Sequence, residues 1–292
     1  MPVEERDPHT GYPTIGHEWN GITEINRPVP RVVWIFLAVT VIFSVIYWIL
    51  MPAWPLITTY TKGILGKDQY SRLAQDLEEA AMSRAQWHGQ IAAQDFAAIQ
   101  ADPALMPIVR RTGRTLFEDN CAVCHGVGGG GHTGFPRLSD DKWLWGGAPA
   151  QIAETLRVGI NSTHPESRLT AMPAFGADGM LGRQAIRDVV TYVRSLSGLN
   201  ADTADPKAIA AGEKIFAQNC TMCHGEDGTG STDFGAPDLT DDYWIYGSSR
   251  QTLYTVIYES RRGWMPAWEN RLSPVERKIL TLYVLELGQP EG

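Results

Sequence analysis

Cysteine is scarce in this chain, and its placement is more informative than its number. Of 292 residues four are cysteine, and all fall in two short runs, Cys121-Ala122-Val123-Cys124-His125 and Cys220-Thr221-Met222-Cys223-His224. No thiol is left for a disulfide framework. The pairs stand nearly a domain apart, which excludes the close spacing of a four-cysteine zinc ribbon. Neither pair is embedded in a βαβ pattern, which excludes a thioredoxin-like dithiol. Basic charge is also in short supply: 25 Lys and Arg stand against 33 Asp and Glu, for a net charge of −8. That balance argues against nucleic-acid binding, which depends on neutralising phosphates. It fits steering of a basic redox partner and plain solubility equally well. Long apolar runs are absent except for one, Val32 to Met51, which carries no charge.

What is present, twice, is C-x-x-C-H, the attachment signature of c-type haem. Both thiols bond to the porphyrin, and the adjacent imidazole becomes an iron ligand. Cys121, Cys124, Cys220 and Cys223 are therefore the candidate covalent anchors of two haem c groups, with His125 and His224 as proximal ligands. Haem attachment of this kind takes place outside the cytoplasm, on the oxidising side of the membrane.

The single apolar run is long enough to cross a bilayer, and Trp34, Tyr47, Trp48 and Trp54 near its ends form an aromatic belt. A polar leader precedes it and no small-x-small cleavage site follows, so it reads as a retained anchor. Arg27 and Arg31 are balanced by Lys62 and Lys67, which leaves orientation open by charge. The haem motifs decide it: residues 1–31 are expected in the cytoplasm, 32–51 in a bacterial inner membrane, and the rest in the periplasm. Residues 52–106 form a spacer in which the composition of Tyr70 to Gln100 predicts one long helix ending at Asp102-Pro103. His88 on it is expected at a surface or interface.

The remainder is an internal repeat, predicted as domains 107–198 and 205–288 joined through the Gly, Asn, Asp and Pro-containing stretch from Ser197 to Pro206. Gly113 to Phe117 matches Gly212 to Phe216, and Pro136-x-Leu138 matches Pro237-x-Leu239. Asp140-Asp141-Lys142-Trp143-Leu144-Trp145 matches Asp241-Asp242-Tyr243-Trp244-Ile245-Tyr246, and each unit ends on an amphipathic helix. Units this small have modest cores, so loss of the cofactor is expected to unfold either one. Met172-Pro173-Ala174-Phe175 and Met265-Pro266-Ala267-Trp268 occupy equivalent places, which makes Met172 and Met265 the candidate sixth ligands. Met–His coordination closes the iron to substrate and raises its potential, which means electron transfer. His164 is the rival ligand in the first unit. Met82 and Met180 read as core or surface residues, and Met222 lies inside its own haem loop. His132 sits beside the glycine run Gly128 to Gly131, which lacks the ending of a phosphate loop.

The haem repeats resemble tandem class I cytochromes c, for an all-α fold of one N-terminal transmembrane helix and two cytochrome domains. The amino-terminal His17-Glu18-Trp19-Asn20-Gly21-Ile22, the approach Pro28-Val29-Pro30-Arg31, the exit Pro52-Ala53-Trp54-Pro55 and Asp102-Pro103-Ala104-Leu105 narrow this. Over essentially its whole length the chain resembles the dihaem subunit of cbb3-type cytochrome c oxidases. That resemblance implies an electron-transfer subunit of a respiratory terminal oxidase, taking electrons from a periplasmic or membrane cytochrome c and relaying them towards a haem–copper catalytic subunit. A monohaem c-type cytochrome subunit is the other implied partner. The chain itself holds no substrate-converting site, since one anchor and seven histidines cannot build the catalytic centre. The resemblance further implies axial pairs His125 with Met172 and His224 with Met265, and proximal hydrogen bonds to the carbonyls of Pro136 and Pro237. Val32-Val33 departs from the tryptophan pair common in the family. Two other readings stand beside it: a free-standing membrane-tethered dihaem carrier, and a dihaem peroxidase.

Overall fold

A computed structural model of the chain describes residues 5–199 and 205–288, so residues 200–204 of the predicted linker lie outside the described residues. The chain divides into two compact units between Arg84 and Ala85. The first holds a hairpin of β1 (Thr14–Trp19) and β2 (Ile22–Ile25), then α1 (Arg31–Leu50) and most of α2 (Gln69–Ala93). The antiparallel register pairs Thr14 with Ile25 and Trp19 with Ile22. Asn20 and Gly21 make the turn, with φ of 53° and 86°, the doubly left-handed backbone that Asn-Gly favours in two-residue hairpins. The sequence reading placed no strand here, although that dipeptide signals one.

The anchor α1 lies within one residue of the predicted span at each end. None of its residues is buried, and its mean hydropathy is 2.5. Thr40 donates its hydroxyl to the Phe36 carbonyl at 3.0 Å and Ser44 to that of Thr40 at 2.8 Å. Both polar side chains are thus satisfied inside the helix, as hydrocarbon requires.

The second unit contains α3 (Phe96–Ala101), α4 (Met106–Asn120), α5 (Ala122–His125), α6 (Pro149–Val158) and α7 (Arg183–Leu196). It continues with α8 (Pro206–Asn219), α9 (Thr221–His224), α10 (Arg250–Glu259) and α11 (Pro274–Leu287). The predicted long stem helix is broken: α2 stops at Ala93, and Asp95 caps α3 by accepting from the Ala98 N–H at 2.8 Å. A carboxylate that satisfies orphan N–H groups starts a new helix in preference to continuing the old one. Lys278 of α11 donates to the carbonyls of Ile91, Ala92 and Gln94 at 2.6–3.2 Å. A cation on the free carbonyls of a helix end is favourable. Ile91, Ile99, Leu105 and Val109 then bury against Val275, Ile279 and Leu282, a core the sequence reading did not anticipate.

The helices that close the two repeats are exchanged. α4, which opens the first repeat, packs on α11, which closes the second, and α7 packs on α8. The two crossings are built alike. A methyl on Gly113 would lie 2.5 Å from Cβ of Tyr283, and one on Gly212 would strike the Asp188 carbonyl and press on Tyr192. Phe117 stacks obliquely on Tyr283 at 5.7 Å and Phe216 on Tyr192 at 5.3 Å. The cause is connectivity, because few residues join α7 to α8 and short connections make sequential helices antiparallel neighbours. With α7 taken, α4 is completed by α11, and a bidentate Arg110–Glu286 pair joins those two helices at 2.7–3.0 Å.

Candidate haem sites

Each C-x-x-C-H run makes the same local structure. The long helix ends on the first cysteine, whose N–H still bonds to the phenylalanine carbonyl four residues back, and a single turn ends on the histidine. That turn puts both thiols and the imidazole on one short piece of backbone. Burial pushes the Cys121 and Cys220 thiols up to about 11, with the neighbouring thiol adding to the effect. Burial also holds His125 and His224 below the ordinary imidazole value, against the opposing effect of a carbonyl bond. His125 Nδ1 lies 3.0 Å from the Pro136 carbonyl and His224 Nδ1 3.1 Å from that of Pro237. Donation there places the proton on Nδ1 and leaves Nε2 as a lone-pair donor, the state an iron ligand needs.

Each candidate methionine packs into the cluster of the other repeat. Met265 packs against the core that contains Phe117, Cys121 and Leu156, together with Trp268 and Tyr283. Met172 packs with Phe216, Cys220 and Leu253, together with Phe175 and Val190. The structure thus brings Met265 into the cluster of the first motif and Met172 into that of the second, whereas the resemblance implied the pairs His125 with Met172 and His224 with Met265. The reason is the helix exchange, which carries each Met-Pro-Ala-aromatic segment across with the helix that follows it.

Both segments are strapped to the opposite repeat by backbone. Met265 and Ile160 exchange two N–H···O bonds at 2.9 and 3.0 Å, and the Trp268 N–H bonds to the Leu156 carbonyl at 3.0 Å. On the other side, Gly176 and Ala177 donate to the Tyr258 carbonyl at 3.2 and 2.9 Å, and Ser260 Oγ donates to the Met172 carbonyl at 2.6 Å. His164, the rival ligand, is engaged at both ring nitrogens. Nδ1 accepts the Glu166 N–H at 3.0 Å, and Nε2 donates to Glu269 at 2.8 Å. Arg157 joins the same cluster, pairing with Glu269 at 3.1 Å, with Glu154 at 2.8 Å and with Glu166. Sequence reasoning missed this cluster, since its members are far apart in the chain and belong to no motif.

Three buried donors, Arg168 Nε, Arg194 Nε and Trp244 Nε1, have no acceptor among the described residues. Orphan donors of this kind are costly unless a further acceptor enters. Two imidazoles, two thiol pairs and two thioethers packed on apolar cores, with the unpaired Trp244 Nε1 in the second of them, make a donor set that fits porphyrin groups.

Residues 11–58 match the family described as the N-terminal domain of cytochrome oxidase-cbb3, FixP. Residues 111–197 match cytochrome c, and 207–284 match cytochrome C oxidase, cbb3-type, subunit III. Curated relatives align end to end. A cbb3-type cytochrome c oxidase subunit FixP from a Bradyrhizobium species is 45% identical over 284 residues, covering 97% of each chain. A subunit CcoP from Cereibacter sphaeroides is 44% identical over 281 residues, covering 96% of each, and one from Azospirillum brasilense is 40% identical over 296, covering 99% of each.

Proposed function

The chain belongs to the FixP/CcoP family of cbb3-type cytochrome c oxidase subunits and is an electron-transfer subunit of such an oxidase, and on that premise we propose that it relays electrons through two covalent haems c with exchanged axial ligands. Its cytochrome c domains imply covalent haem c, and its apolar helix implies membrane anchoring. One haem would be held by Cys121, Cys124, His125 and Met265, the other by Cys220, Cys223, His224 and Met172. The observation that carries this is the presence of each thioether in the same core as the first cysteine of the other repeat.

Bound haem supplies a reversible one-electron couple at iron. The protein does the rest. The Pro136 and Pro237 carbonyls orient the imidazoles and raise their basicity. The two thioethers would complete the protein's ligand set for each iron and raise its potential. The apolar cores exclude water from both sites. α1 spans the inner membrane with the amino end in the cytoplasm and the haem unit in the periplasm. The partners are the haem–copper catalytic subunit, a monohaem c-type cytochrome subunit and a cytochrome c donor.

Purification of the tagged chain in mild detergent, with mass spectrometry of what accompanies it, tests the assembly. Stoichiometric recovery of a many-helix haem–copper subunit and a second c-type cytochrome is the expected result, whereas recovery of the chain alone makes it a free-standing carrier. A haem-to-protein ratio of two is expected, and it is to fall to one when Cys220 and Cys223 are both replaced by Ala. A peroxidase would keep its turnover in a Met172→Ala or Met265→Ala variant, whereas the carrier loses electron flow in both.

A further inference from the structure

Between the two haem loops lies a cleft of about 620 Å³ lined by Pro136, Arg137, Lys142, Pro237, Asp238 and Tyr243. Each repeat sends one side chain across it to the residues beside the other repeat's proximal carbonyl. Tyr243 donates its hydroxyl to the Phe135 carbonyl at 2.6 Å, and the Arg137 guanidinium lies 4.5 Å from the centre of its ring. Lys142, which occupies the place of Tyr243 in the repeat, donates to Asp238 Oδ2 at 2.9 Å. Asp238 in turn occupies the place of Arg137. The first proximal loop therefore carries a cation against a neutral ring, and the second carries an anion against a cation.

The second arrangement has an electrostatic consequence. Asp238 directly follows Pro237, whose carbonyl orients His224. Its Oδ1 is held by the Thr240 N–H at 2.8 Å and the Thr240 hydroxyl at 2.6 Å, and its side chain is only 11% exposed. Those bonds do not involve Lys142, so the carboxylate keeps its position and its charge when the ammonium is removed. An uncompensated anion so close to a ligand carbonyl stabilises ferric over ferrous iron, because oxidation adds a positive charge.

We propose that Lys142 of the first repeat is a positioning residue for the second haem: by neutralising Asp238 across the cleft, it holds up the reduction potential of the iron ligated by His224. The inference rests on the axial assignment above, and its test separates the two. The test is a redox titration of the haem-loaded full-length chain in detergent, with M172H and M265H marking which of the two one-electron waves belongs to which haem. K142M is expected to lower only the wave that M172H moves. Because Lys142 is 47% exposed and partly screened, the expected shift is about three- to tenfold in the reduction equilibrium, where tenfold is about 59 mV for one electron. K142R and the double variant K142M/D238N are expected to return that wave towards its starting value, the first by restoring the cation and the second by removing the anion. A K142M titration in which neither wave moves, or both move equally, overturns the inference, as does a K142M/D238N variant that behaves like K142M. If K142M moves instead the wave marked by M265H, the exchanged axial pairing is what fails. Haem content and melting temperature of each variant show that the fold is retained.

Discussion

The two candidate haem pockets use the same parts in the same order, yet they are closed by different chemistry. In the first, the strap that carries Met265 ends at Glu269, whose carboxylate binds both His164 and Arg157 from the opposite repeat. In the second, Gly176 stands at the position of Glu269, so no side chain is available. The strap is instead pressed against the Tyr258 ring, which leaves no room for a Cβ at Gly176, and is held by backbone bonds to Tyr258. One closure is ionic, the other steric. A shared fold therefore need not mean a shared response to salt, acid or substitution.

The exchange common to both pockets gives the largest expected effect. Truncation after Ser197 removes α11 and Met265 together, so the remaining first repeat is expected to show no methionine-ligated low-spin haem in its optical spectrum. A normal low-spin cytochrome from that fragment would break the exchange. The glycine crossings come next. Gly212→Ala drives a methyl into a backbone carbonyl, whereas Gly113→Ala meets a side-chain carbon. A Cβ is carried by the main chain and yields little more than a carbonyl does, so denaturant melts are expected to show a loss of about 1–3 kcal/mol or more for each, the larger for Gly212→Ala, where the approach is closer. Equal losses would mean that the two crossings are equally compliant.

A smaller effect separates the straps. His164→Ala removes the Nε2–H donor to Glu269 and is expected to raise the affinity of added imidazole for the first iron several-fold, leaving the second unchanged. His164→Gln, which keeps an N–H donor, is expected to restore much of the difference. An equal gain at both irons would show general loosening in place of a local strap. The smallest effects come from pH. Arg157 holds Glu154 below the usual carboxylate range, and His164 followed by Arg157 does the same for Glu269. A depressed carboxylate stabilises the fold above its unfolded pKa, and the contribution is lost as pH falls through the folded value. Acid melts are therefore expected to weaken the first strap below about pH 4. Burial raises Asp140 and Asp241, on the cleft side of each repeat, with the opposite sign. Their contribution is present below the unfolded pKa and is lost as pH rises through the folded one. The double variant D140N/D241N is thus expected to melt slightly higher than the parent at neutral pH and no differently in acid.

Much of this was legible in the residues. The apolar run from Val32 predicts α1 almost to its ends, because length and absence of charge are local properties. The proximal bonds of His125 and His224 to Pro136 and Pro237 follow a pattern carried by the family resemblance. The hairpin is signalled locally as well, by Asn20-Gly21. The break in the stem at Asp95 and the docking of Ile91 and Ile99 on α11 were not legible, since composition favours helix throughout and says nothing of what covers a helix face.

What the sequence by itself determined is the inventory: two thiol pairs, two imidazoles on their own short turns, two thioethers before terminal helices, and one apolar span. Each is set by neighbours a few residues away. Which thioether packs in the core of which first cysteine was decided only by the tertiary structure. The repeats are so alike that α7 and α11 present equivalent apolar faces, and Tyr192 and Tyr283 equivalent rings, to either opening helix. Local pattern is indifferent between the two pairings. The short connection from α7 to α8, the ion pair from Arg110 to Glu286 and the reach of Lys142 to Asp238 act over distances that no local pattern records, and they belong to the exchanged arrangement.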